Sequence, residues 1–141
     1  MMVMKRLLKS GSAVLLLLFL WGCDIADDAP SFHFVSLEIT AVDVPETFQL
    51  YGTYPIGITY IRPNSCTSFE GFDIVKEDYS TRRVVAVGAE FPESDCSGGA
   101  EEVTTSFDFK CLYNGTYYFR FYSGEDADGV PQFIEVEVPV E

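Results

Sequence analysis

Basic residues are scarce in this chain. Nine Lys and Arg stand against 22 Asp and Glu, for a net charge of −13. Lys5, Arg6 and Lys9 all lie in the first 22 residues, which carry no acid, so the remainder holds six basic against 22 acidic side chains, or −16. Charge of that sign repels nucleic acid and opposes adsorption to anionic lipid through protein contacts. Histidine occurs once, as His33, and there is no Gly-x-Ser-x-Gly elbow, Cys-x-x-Cys pair or zinc-ligand spacing. A triad or a cysteine nucleophile would have to recruit that one imidazole across the fold with no local motif to place it. Redox and zinc chemistry have no spacing to build on, so no enzymatic activity is expected. Tryptophan also occurs once, at Trp21, which leaves tyrosines to form any sugar-stacking surface in the rest of the chain. Long apolar runs are missing too: the stretch from Ala13 to Trp21 falls well short of a membrane span, which needs roughly 20 residues.

A basic start followed by an apolar run ending in Leu20-Trp21-Gly22-Cys23 is present instead. Leu20, the small Gly22 and Cys23 resemble the lipobox of bacterial lipoproteins, at which signal peptidase cuts after the cysteine has been acylated. The resemblance implies a signal peptide over residues 1–22, a lipidated Cys23 with an acidic tether over 23–31, and one domain over 32–141. Its partner would be the bilayer, reached through the acyl chains. One chain holds weakly, whereas two or more anchor stably. The tether Asp24-Ile25-Ala26-Asp27-Asp28-Ala29-Pro30 has no periodic apolar pattern and reads as a solvated linker. Acidic residues just after the lipidated cysteine resemble the surface-export signal of lipoproteins of the Bacteroidetes type. In enteric-type bacteria an Asp at that place resembles an inner-membrane retention signal. The outer membrane, with the domain surface-exposed, is the expected address.

From His33 onward apolar residues recur at every second position, and no stretch has convincing helical spacing, so the domain reads as all-β. Val35, Leu37, Ile39 and Ala41 predict a first strand closed by Pro45-Glu46; Phe48 and Leu50 share one face before Gly52 and Pro55 interrupt; Ile56, Ile58 and Tyr60 resume. A strand from Phe72 to Lys76 and another from Arg82 to Phe91, joined by the polar turn Glu77 to Thr81, predict a hairpin, and Pro92 to Glu102 must be a loop. Val103, Thr105, Phe107, Phe109 and Cys111 line one face of the next strand. Asn114-Gly115 then predicts a type I′ hairpin turn into Tyr117, Phe119 and Phe121, and after the turn Gly124 to Pro131 the alternation of Ile134, Val136, Val138 and Val140 predicts a last strand. Seven or eight short strands with evenly spaced turns predict an immunoglobulin-like antiparallel β-sandwich. A small closed β-barrel is the alternative, because both need one inward face per strand. The tail from Asn114 onward, with its Tyr-Tyr-Phe-Arg-Phe-Tyr and Phe-Ile-Glu-Val-Glu-Val runs, resembles the last two strands of many immunoglobulin-like domains, and similar tails occur in small lipoproteins of the Bacteroidetes type.

With Cys23 committed to lipid, three cysteines remain, so one disulfide is the most that can form. Cys111 shares the apolar face of Phe107 and Phe109, whereas Cys66 and Cys96 sit in polar loops, so Cys66 to Cys96 is the expected bridge and Cys111 a buried thiol. Glu125, Asp126 and Asp128 beside Gly129 are the one local cluster with site chemistry, since alternate carboxylates can converge on Ca²⁺. The pattern lacks the third ligand position and distant bidentate Glu of an EF-hand, and it also suits a plain solvated turn. Tyr118, Arg120 and Tyr122 lie opposite Phe119 and Phe121 on their strand, which makes them the expected ligand-contact face. Three functions stay open: a non-enzymatic binding or structural module of the cell envelope with an unknown protein or glycan partner, a glycan-binding accessory of a nutrient-uptake system marked by an exposed Tyr113, Tyr118 and Tyr122 cluster, and an enzyme joining His33 or Cys111 to carboxylates.

Overall fold

A computed structural model describes residues 31–92 and 95–141. The expected signal peptide, Cys23 and nearly all of the expected acidic tether lie outside the described residues. Eight strands form the domain: β1 (His33–Leu37), β2 (Ile39–Asp43), β3 (Thr53–Arg62), β4 (Thr67–Lys76), β5 (Thr81–Glu90), β6 (Glu101–Lys110), β7 (Tyr117–Glu125) and β8 (Pro131–Val138). They make two packed sheets, one of five strands in the order β1-β5-β7-β8 with β4 also on β5, and one of three strands, β2-β3-β6. The fold is therefore a β-sandwich. It is not a closed barrel, because β2 and β6 end one sheet and β4 and β8 end the other.

Between the sheets the alternating residues meet in one core. Ile39, Ile56 and Ile58 from one sheet and Val84, Phe119 and Phe121 from the other are all fully buried there. The predicted first strand is in fact two. β1 pairs with β5, while β2, after only Glu38, pairs with β3 in the opposite sheet. Both sheets turn one face to the same core, so a chain crossing between them keeps its alternation, and Leu37 and Ile39 are both buried. A register shift between Ile39 and Ala41 then reverses the phase, leaving Ala41 outward and Val42 packed on the core.

β5 is the centre of the larger sheet. β4 runs along one edge of it in the expected hairpin, with a strand that begins earlier than predicted, at Thr67. The other edge is shared: β7 lies parallel to Thr81–Val84 and β1 antiparallel to Ala86–Glu90. The β5/β7 pair is the departure from an all-antiparallel sandwich. β7 and β8 form the last hairpin, and Val140 lies beyond β8 in a single parallel bridge to Phe48.

The Asn114-Gly115 expectation is corrected. β6 pairs with β3 and β7 with β5 and β8, so the segment joins two different sheets and not two neighbours. Gly115 is not among the positive-φ residues, whereas a type I′ turn requires positive φ at both central positions. The hydroxyl of Tyr117 accepts hydrogen bonds from the N–H groups of Leu112 and Tyr113 at 3.0 and 2.9 Å, and this pins the crossing. A tyrosine at the start of a strand bonding back to the chain a few residues upstream resembles the tyrosine corner described for immunoglobulin-like sandwiches.

Candidate functional site

The chain enters the domain at His33, whose strand partner is Glu90, itself paired with Thr67. Opposite this entry end lies a far end formed by the starts of β3, β5 and β7 and the ends of β4, β6 and β8. His33 Nε2 stands 3.2 Å from Glu90 Oε2, with its side chain 62 % exposed, at the entry end. Cys111 is fully buried at the far end, and its thiol donates to the Tyr113 carbonyl at 3.4 Å. The imidazole and the free thiol are therefore not brought together.

Cys66 and Cys96 form the expected disulfide, with Cα atoms 5.2 Å apart. It clamps the open end of the β4/β5 hairpin, where Phe91 N–H also donates to the Cys66 carbonyl. Glu125, Asp126 and Asp128 do not converge. Asp126 Oδ1 accepts the N–H groups of Asp128 and Val130, and Oδ2 accepts the Gln132 amide, so this carboxylate organises the β7/β8 turn. No group of three or more His, Cys, Asp or Glu side chains suited to a metal occurs among the described residues.

Tyr118, Arg120 and Tyr122 do share the outer face of the larger sheet. The Arg120 guanidinium lies 4.3 Å from the Phe133 ring centre and pairs with Glu77 and Glu135 at 3.2 and 3.5 Å. Arg83 Nε also stands 3.2 Å from Glu77, near enough for ionic attraction though outside hydrogen-bond geometry. Both arginines are thus engaged by neighbouring carboxylates. Tyr122 packs edge-on to Phe133, and burial, with Glu125 and Glu38 nearby, raises its hydroxyl pKa. This is a self-satisfied sheet face, with Tyr118 as its exposed rim.

Two neighbouring loops at the far end are less self-contained. Leu50-Tyr51-Gly52-Thr53-Tyr54 and Leu112-Tyr113-Asn114-Gly115-Thr116-Tyr117 are the same word with Asn114 inserted. Each ends in a tyrosine whose hydroxyl bonds back to its own loop: Tyr54 accepts Gln49 N–H at 2.7 Å, as Tyr117 accepts two. Each glycine makes room for a ring, since a Cβ on Gly52 would meet Tyr54 at 2.7 Å and one on Gly115 would meet Tyr113 at 2.4 Å. Backbone bonds join the loops, from Tyr51 N–H to the Cys111 carbonyl at 2.8 Å and from Cys111 N–H to the Gly52 carbonyl at 2.9 Å. Beneath them Phe48 is fully buried, stacked on Tyr54 with ring centres 4.7 Å apart.

These loops display Leu50, Tyr51, Leu112 and Tyr113. Tyr51 is 70 % exposed and has φ +68°, the one non-glycine residue with positive φ among the described residues. That backbone region is unfavourable for an L-residue with a bulky side chain. Reading the sequence by alternation places Leu50 with Phe48 on a buried face, whereas the chain turns there and leaves it exposed. The duplicated word is the signal that alternation misses, because it encodes loops and not strands.

The chain matches no protein-family model, no curated protein and no solved structure.

Proposed function

We propose that this chain is a lipid-anchored protein of the cell envelope, held through acylated Cys23 at the outer membrane and surface-exposed, whose sandwich is a non-enzymatic binding or structural module. The lipobox-like Leu20-Trp21-Gly22-Cys23 carries the reading. The fold supports a binding role: the two side chains most apt for nucleophilic catalysis, His33 and Cys111, lie at opposite ends, and the exposed tyrosine loops are rigidly cross-bonded. A role as a glycan-binding accessory of an uptake system is favoured by one observation, the pair of exposed rings Tyr51 and Tyr113 beside the uncharged amides of Gln49 and Asn114.

The test is expression of the full-length chain and its Cys23→Ala variant in a Gram-negative bacterium of the Bacteroidetes type, with fatty-acid labelling and protease shaving of intact cells. Labelling that disappears in Cys23→Ala, together with shaving of the wild type, is the expected result. Labelling without shaving would move the domain to the periplasmic side, and absence of labelling would remove the anchor and the reading with it.

A further inference from the structure

We propose that the paired far-end loops bind an uncharged polysaccharide, with the rings of Tyr51 and Tyr113 stacking on sugar faces and the side-chain amides of Gln49 and Asn114 bonding its hydroxyls. The proposal rests on the binding-module reading and deepens it.

Charge selects the ligand class. Residues 47–53 and 111–117 contain no charged side chain, in a chain of net −13 with acids spread along its length. The net charge of the protein opposes a polyanion, although Lys110 and Arg82, whose guanidinium lies 5.3 Å from the Tyr117 ring centre, border the patch, and a second copy of the same chain meets the same net repulsion. A cationic partner is drawn to the carboxylate-bearing faces and not to these tips. An uncharged ligand is the class for which the patch is the most favourable surface. Its chemistry then narrows the class further. Exposed tyrosine rings give large, rigid contact area at little conformational cost, and neighbouring amides supply both donors and acceptors. Gln49 and Asn114 are exposed, and among the described residues neither side-chain amide makes a hydrogen bond within the domain. A ligand offering flat C–H faces edged with hydroxyls satisfies rings and amides together.

Tyr51 adds an argument from conformation. At φ +68° a glycine would sit without strain, yet the residue is a tyrosine whose ring points into solvent. The backbone bonds to Cys111 and the buried Phe48 hold it in that conformation. Strain kept in place by its surroundings at an exposed side chain is the pattern expected where the side chain serves recognition.

The experiment is affinity electrophoresis of the full-length protein, in neutral detergent, through gels containing uncharged glucan, mannan, galactomannan or xylan. Retardation by at least one of them is expected. It should weaken about tenfold in Tyr51→Gly and in Tyr113→Ala, the loss given by about 1.4 kcal/mol for a truncated contact ring. Retardation should stay unchanged in Tyr79→Ala, whose exposed ring lies on the β4/β5 turn, and unchanged by added salt, since no ion pair is involved. Tyr51→Gly separates binding from folding: relief of the positive φ should leave its melting midpoint no lower than that of the wild type. Retardation by none of the polysaccharides overturns the proposal, as does retardation that salt abolishes or that both tyrosine variants retain. A Tyr51→Gly midpoint well below the wild type would make the ring a structural one. Failure of Cys23 labelling with glycan retardation intact would remove the envelope address and leave the glycan site standing. Intact labelling without retardation would do the reverse.

Discussion

Replacing Tyr117 by Phe is the sharpest probe of how the far end is held. The ring is fully buried and packs edge-on against Phe109 with centres 5.0 Å apart, and against Phe48 at 5.9 Å. Phenylalanine keeps those contacts, so the apolar contribution nearly cancels. What is lost is one oxygen that accepts two backbone donors, Leu112 N–H and Tyr113 N–H. A hydrogen bond contributes about 0.5–1.5 kcal/mol net, and a donor stranded away from water costs about 1–3 kcal/mol. Leu112 is 64 % exposed, so water reaches part of this backbone, and the expected loss for the pair is about 2–3 kcal/mol. Tyr54→Phe is the internal comparison, since that hydroxyl accepts a single bond, from Gln49 N–H on the solvent side, and should cost about 1 kcal/mol or less. Urea unfolding at neutral pH measures both, with the midpoint shifting and the slope unchanged. A Tyr117→Phe loss below about 0.5 kcal/mol, or no larger than that of Tyr54→Phe, would refute the reasoning. The crossing would then be held by the Tyr51 and Cys111 backbone bonds alone.

Two further outcomes follow from other parts of the sandwich. Joint replacement of Cys66 and Cys96 by Ala should destabilise by about 3.5–4 kcal/mol in the chain-entropy description, because the bridge closes a sequence separation of 30 residues; a loss below about 1 kcal/mol in urea unfolding would show that the β4/β5 hairpin constrains the unfolded chain without it. Asp78 accepts the N–H groups of Thr81 and Ser80, both at 2.7 Å, and these bonds hold its carboxyl at about 2, below the ordinary 3.8. A lowered folded-state pKa means that its stabilisation is complete above the ordinary value and vanishes as pH falls through the folded one. The stability difference between wild type and Asp78→Ala should therefore be level near neutrality and shrink from about pH 4 to pH 2. A difference that stays constant over that window would remove Asp78 as the clasp of the turn.

Alternation made the core legible almost residue by residue. Leu37, Ile39, Ile56, Ile58, Phe119 and Phe121 are buried as their period of two requires. It says which side of a strand is buried, and nothing about which sheet owns the strand. The crossing at Glu38 was invisible for that reason, as was the parallel placing of β7 beside β5. Asn114-Gly115 misled for a related cause. A dipeptide's turn preference is a local one, and pairing of β6 and β7 with partners in different sheets overrides it. The disulfide could be read because the two polar-loop cysteines contrast with Cys111 on an apolar face. Alternation puts Tyr118, Arg120 and Tyr122 opposite Phe119 and Phe121, and they share the outer face of the larger sheet, but no sequence pattern announces that Glu77 and Glu135 engage that arginine.

The far-end loops show how one word of sequence yields two unequal structures. In the longer copy Asn114 supplies an extra residue, and the closing tyrosine reaches two donors while Tyr113 keeps an ordinary backbone. In the shorter copy the closing tyrosine reaches one donor, and the chain closes the turn by taking positive φ at Tyr51. The shorter loop is therefore the strained member, and it depends on the longer one, since both hydrogen bonds between them run through Cys111. Cys111 in turn is fixed by burial beside Phe109 and by its bond to Tyr113. The direction of dependence runs from the relaxed loop to the strained one: weakening the Tyr117 corner should alter the presentation of Tyr51, whereas relieving Tyr51 should leave the Tyr117 corner intact.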